Sequence, residues 1–160
     1  MALQVNDLIQ VLQGQESVIA ELLSLADEQL QVLKNDDIEK LSEITVQQEE
    51  KGRRLALLEK KRCEILAAYS QEVGKEIHHL SELFNHIDSE DKDALQKLAF
   101  EIKEKHEKLA ETHELNRVLL KQGLLYANRI LSCLNPEKSV YGKTGNMQKT
   151  SSSGIIDKSV

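Results

Sequence analysis

Apolar residues recur at helical spacing along three long stretches of this chain, parted by two breaks. The first stretch runs from about Leu3 to Leu33. Ten of its twelve a, d and e heptad positions are apolar: Leu8, Val11, Leu12, Val18, Ile19, Leu22, Leu25, Ala26, Val32 and Leu33. Gln15 and Gln29 hold the other two, which predicts an amide in the seam at each, a device that can fix register. The segment KNDD then turns the chain. Asn35 or Asp36 is the expected N-cap of the next helix, with Glu39 at capping-box spacing from Asp36.

The second stretch, about Asp37 to Val73, carries a seam of Leu41, Ile44, Leu55, Leu58, Ile65, Leu66, Tyr69 and Val73. It is interrupted by TVQQEEKGRR (45–54), where Val46 alone is apolar and Gly52 weakens the helix by about 1 kcal/mol relative to Ala. Gly74 marks the break. Ile77, Leu80, Leu83, Phe84 and Ile87 share one face and predict a short connector helix over 75–87. Asp88 or Ser89 then caps a third helix, from about Glu90 to Leu134.

That third helix has three zones. Leu95, Leu98, Ala99 and Ile102 open it; Lys105, His106, Thr112, His113 and Asn116 occupy seam positions in the middle, relieved by Leu109. Leu119, Leu120, Gly123, Tyr126, Ala127, Ile130, Cys133 and Leu134 close it as one apolar stripe. An antiparallel hairpin centred near residue 81 would set the polar zones of the second and third helices opposite each other, as a wet layer between drier ends. At 1.5 Å per residue the first helix spans roughly 46 Å and the third roughly 68 Å. In an up-down-up bundle that difference leaves about 14 residues, 121–134, without a partner helix. The pattern alone leaves open whether the stripe packs in a core or faces another protein.

The predicted fold is therefore all-α, an antiparallel bundle of three long helices over residues 1–135. After Asn135-Pro136 the periodicity ends, and KTSSSG with scattered Lys predicts a disordered tail over 136–160. Its large apolar residues are Val140, Tyr141, Met147, Ile155, Ile156 and Val160. Aromatics at 3% and a single Pro agree with long helices. A net charge of −6 argues against nucleic acid. No apolar run approaches about 18 residues, so no membrane span is expected. No secretory leader is expected either, since the N-terminus lacks a basic stretch ahead of an apolar one. Cys63 and Cys133 form no CxxC and read as free thiols in a reducing compartment.

Catalytic signals are weak. Glu76 and His79 form a Glu-x-x-His, the helical spacing of di-iron bundles, but such a site needs a second copy, and His86, His106 and His113 lack the preceding Glu. His106 and His113, seven residues apart, suit a polar layer better than a ligand pair. Glycines are dispersed, without a phosphate-binding loop. No catalytic residue, metal or cofactor is expected. The interaction signals are better: the stripe stands at the end of the longest helix, small Gly123 and Ala127 would let a partner helix approach, and Tyr141 is a candidate docking anchor.

Three pieces of the chain carry a resemblance to the FlgN family of flagellar export chaperones. They are the helices with LLSLADEQLQVL and QQEEKGRRLALLEKKR, where Leu58-Glu59 precedes Arg62; LNRVLLKQGLLYANRILSCL, with Asn116, Leu119 and Leu120; and Tyr141-Gly142-x-x-Gly145. The likeness covers most of residues 3–145 and leaves the rest of the tail unmatched. It implies a cytoplasmic, non-enzymatic chaperone that binds the C-terminal helices of hook-filament junction proteins of FlgK and FlgL type and brings them to the type III export gate. Carried over by position, the client-binding residues are Asn116, Leu119, Leu120, Gly123, Leu124, Ala127, Ile130, Leu131 and Leu134, and the gate contact is Tyr141. The alternative is a helical adaptor whose stripe closes a homo-oligomeric coiled coil. A homodimer in the client-free state is a related expectation.

Overall fold

The computed structural model describes residues 2–134, with side chains from Val5 onward. Its helices are α1 (Ala2–Lys34), α2 (Ile38–Val73), α3 (Leu80–Leu83) and α4 (Ser89–Leu134). No strand occurs among the described residues. The architecture is the expected all-α bundle of three long helices with a short connector. The tail predicted over 136–160, and Tyr141 within it, lie outside the described residues. The chain divides into two compact units, Met1–Arg117 and Val118–Val160, the division falling inside α4.

In the first unit, pairing order gives direction. Glu28 pairs with Lys40 at 3.1 Å, Glu21 with Lys51, and Gln15 with Glu59 at 2.8 Å. Val5 and Leu8 share a cluster with Leu66 and Tyr69. Later residues of α2 thus meet earlier residues of α1, and the two helices are antiparallel. At Gly14 an added Cβ would lie 3.3 Å from a Leu58 methyl, so α2 packs closely there. The order along α4 is the opposite. Leu95 packs with Val5 and Leu8, Lys105 pairs with Glu16, Leu109 sits among Val18, Ile19, Leu22 and Ala26, and Asn116 bonds Ala26. Helix α4 is therefore parallel to α1, and the bundle runs up, down, up.

Helix α1 is the one both others share, and its burial pattern shows it. Eight of the ten predicted apolar seam residues are buried, with Val11 and Leu33 half-buried, and Gln15 and Gln29 are buried as predicted. A helix with two neighbours must bury a wide stripe; one with a single neighbour can bury a narrow a/d seam. The part of α4 in this unit follows the narrow rule: Leu95, Leu98, Ile102, Lys105, Leu109, Thr112 and Asn116 are the turned-in positions, spaced three and four apart.

That spacing corrects several expectations. His106 and His113, placed in the seam by the wider a, d, e reading, are exposed, because each is an e position one residue beyond the half-buried d positions Lys105 and Thr112. The polar zones of α2 and α4 do not chiefly answer each other. Gln48 donates to Gln29 and Lys51 pairs with Glu21, while Lys105 pairs with Glu16 and Asn116 bonds Gln29, so both zones find their partners on α1. Between them remains a groove of about 680 Å³, floored by Leu12 and Ile19 and walled by Leu55 and Ile102.

The caps differ as well. Asp37, not Asn35 or Asp36, caps α2, accepting the Lys40 N–H at 3.1 Å. Asp36 is instead the left-handed residue of the turn (φ 55°), which a short polar side chain tolerates, and the cap moves one place on. Gly74 closes α2 in the left-handed region (φ 69°), its N–H bonded to Ser70 O. The connector is a single turn of helix rather than a helix over 75–87. Ile77 and Leu83 are still buried, and the Ser70 hydroxyl accepts the Ile77 N–H at 3.0 Å. Apolar burial holds this segment in place without a continuous helix.

Candidate interaction surface

Asn116 stands at the turning point of α4. It is 2% exposed, and its Nδ2 donates to Ala26 O at 2.9 Å and to Gln29 Oε1 at 3.0 Å. Gln48 Nε2 donates to the same Gln29 oxygen at 3.2 Å. One buried amide on α1 thus gathers donors from α2 and from α4. This takes Asn116 out of the exposed set in which position alone had placed it. Its side chain is turned onto α1, where a buried polar group finds hydrogen-bond partners.

From Val118 to Leu134 the picture reverses. Leucine, alanine, lysine, glutamine and arginine favour the helix, and Asn135-Pro136 follows it, the residue before a proline being biased away from helical backbone. Every residue here is exposed except Leu119, which is half-buried. Leu124 is 63% exposed, Tyr126 68% and Leu134 74%. A Cβ on Gly123 would meet nothing within 4 Å. Of the predicted contact residues, Leu119, Leu120, Gly123, Leu124, Ala127, Ile130, Leu131 and Leu134 therefore lie together on one helix, uncovered to this degree. At about 100° per residue they fall, with Tyr126 and Cys133, within roughly half of the helix circumference. Tyr126 belongs to the surface by exposure and size, although the position-by-position carry-over omitted it. Its place in the sequence stripe was the signal.

Scattered exposed leucines are ordinary, but a contiguous apolar face of this length is not. The charged residues of 118–134 are all basic: Arg129 lies beside the rim of the apolar arc and Lys121 further round on the polar side, and neither makes an ion pair among the described residues. Arg117, the last residue of the first unit, is held by Glu114 at 2.9 and 2.7 Å. That pairing lowers the Glu114 pKa and raises that of Arg117.

Elsewhere, the strongest electrostatic feature is structural. Arg62 grips Glu59 through two bonds of 2.8 and 2.5 Å, and Gln15 donates to the same carboxylate at 2.8 Å. Hydrogen bonding by Arg62 is the main reason the Glu59 carboxyl is held down at about 2. The Leu58-Glu59…Arg62 motif thus fastens α2 to α1. Glu76 and His79 precede α3, so their Glu-x-x-His spacing is not on a helix, and Glu76 lies 3.4 Å from His78 instead. No cluster of three or more potential metal ligands occurs among the described residues. Both cysteines are exposed free thiols. No helix among the described residues is long and apolar enough to cross a membrane.

The class the structure defines is an all-α helical bundle protein with an exposed apolar helix face over 118–134. Against protein-family models the chain matches FlgN protein over residues 1–149, and it belongs to the FlgN family. That is a family of flagellar export chaperones associated with hook-associated proteins. Comparison with curated proteins and with solved structures returned no match.

Proposed function

We propose that this protein is a cytoplasmic, non-enzymatic chaperone that binds the C-terminal helices of hook-filament junction proteins of FlgK and FlgL type. The client would lie on the α4 face made by Leu119, Leu120, Gly123, Leu124, Tyr126, Ala127, Ile130, Leu131 and Leu134. Asn116 is a structural residue in this reading. Residues 1–135 form the client-binding domain, and 136–160 a delivery segment in which Tyr141 contacts the export gate. The observation that carries the reading is the uncovered apolar face of 118–134, in a chain of the FlgN family. An amphipathic helix laid against an apolar face is a common mode of recognition, and small Gly123 and Ala127 suit close helix approach. Client helices that would otherwise self-associate through their apolar faces would be covered in this way.

The test is Ile130→Asp. An unpaired charge in a desolvated interface is destabilising by several kcal/mol. The variant should therefore keep its melting temperature while losing the 1:1 complex with a FlgK-type C-terminal fragment. If the variant binds as wild type does, the face is not the client site. The rival, a homo-oligomeric coiled coil closed by the same stripe, predicts instead that Ile130→Asp turns an oligomer into a monomer in the absence of any client.

A further inference from the structure

We infer that the partner of the 118–134 face is an acidic amphipathic helix, one whose apolar stripe is edged by Asp and Glu. The inference rests on the docking-face reading above and adds the partner's charge to it.

Charge is strongly segregated along the chain. Residues 1–117 hold 25 Asp and Glu against 15 Lys and Arg. Between Glu114 and Glu137 there is no acidic residue at all, and Arg117, Lys121 and Arg129 are the charges present. Arg117 already has its carboxylate in Glu114. Lys121 and Arg129 have none among the described residues. At about 100° per residue Arg129 lies about 40° beyond Cys133, beside the rim of the apolar arc, and Lys121 about 60° beyond Leu124, further round toward the polar side. In paired helices a charge beside the apolar seam meets the edge of the partner and selects its charge, and a long side chain further round can reach toward it. The groove in the first unit offers a contrast, since its rim mixes Arg62 and Lys103 with Glu59 and Glu107 and selects neither sign.

The acidic excess of the first unit works in the same direction. It repels an acidic helix that would settle along residues 1–117, so attraction at 118–134 and repulsion elsewhere together favour one landing place. A basic amphipathic helix can also adsorb to an anionic membrane. Two features favour a protein helix. The apolar arc holds the small residues Gly123 and Ala127 near its centre, which let an approaching backbone come close. The large negative excess of residues 1–117 would also oppose an anionic lipid surface.

The experiment uses the full chain and two synthetic helical peptides that share one Leu/Ile face, edged by Glu in one and by Lys in the other. At about 0.05 M salt the Glu-edged peptide should bind at least tenfold more tightly, and the gap should close to within about threefold at 0.5 M as screening shortens the reach of charge. Lys121→Glu with Arg129→Glu should reverse the preference while leaving the melting temperature unchanged. Equal binding of the two peptides, or an unreversed preference in the double variant, overturns the inference while leaving the docking face intact, provided Ile130→Asp still abolishes binding. If Ile130→Asp weakens neither peptide, or if neither peptide binds wild type, the docking face and the inference fall together. Adsorption of the wild type, but not the double variant, to phosphatidylglycerol vesicles, with no discrimination between peptides, overturns the inference in favour of a membrane surface.

Discussion

Helix α4 contains two regions of opposite composition, 89–117 rich in charge and 118–134 mostly apolar. In the first, apolar residues recur three and four apart, polar residues fill the middle of the seam, and Lys105 and Asn116 meet polar groups on α1. In the second, the stripe widens to a, d and e positions and beyond, polar residues leave it, and nearly every side chain is exposed. The half with the weaker apolar pattern is the one that is covered. A wide apolar stripe without cover marks a surface shaped for association rather than for the chain's own core.

The comparison is broken or upheld most directly by placing one substitution in each region. Leu95 is fully buried, whereas Ile130 is exposed. Leu95→Asp should unfold the bundle or remove about 3–5 kcal/mol of stability, and Ile130→Asp should change stability by no more than about 0.5 kcal/mol, both read from denaturant melts. Equal losses at the two sites would make the two regions alike. At the boundary, Asn116→Asp replaces the amide donor that serves Ala26 O and Gln29 Oε1 by an oxygen facing two acceptors. It should cost about 3 kcal/mol at neutral pH and less in acid, where the carboxyl can hold a proton. Client affinity per folded molecule should be unchanged, and a specific loss of affinity would return Asn116 to the contact set.

Tyr141 sharpens the division from the other side. In the proposed mechanism Tyr141→Ala leaves folding and client binding intact while weakening the gate interaction at least tenfold, about 1.4 kcal/mol. Gate affinity measured with and without client checks this, and an unchanged value removes Tyr141 from delivery. The smallest effect belongs to the first unit alone. Glu59 is held at about 2, below its unfolded value of roughly 4.3. Its contribution is therefore complete above about pH 4.3 and lost as pH falls through about 2. Because the pair with Arg62 is partly exposed, solvent screening limits it to about 1 kcal/mol. The melting temperatures of wild type and Glu59→Gln should differ near neutrality and converge toward pH 2; a constant gap would mean that the charge of Glu59 is not what ties α2 to α1.

The sequence by itself determined the helices and most of what they bury. Periodicity placed α1, α2 and α4 within a residue or two of their ends, marked Gln15 and Gln29 as seam amides, and singled out 119–134 as apolar beyond ordinary need. These are local properties, written in heptad spacing and in the turn chemistry of KNDD, Gly74 and Asn135-Pro136. Tertiary structure decided what periodicity cannot carry, namely which neighbour each face meets and how many there are. The same heptad letter buries Leu12 on α1, which packs against both other helices, and leaves His106 on α4 exposed. Asn116 and Leu120 read alike as seam positions and as carried-over contact residues, yet the first is fastened to Ala26 and Gln29 while the second stays exposed. That difference depends on which residues of α1 lie alongside, a distance in space that spacing along the chain does not encode.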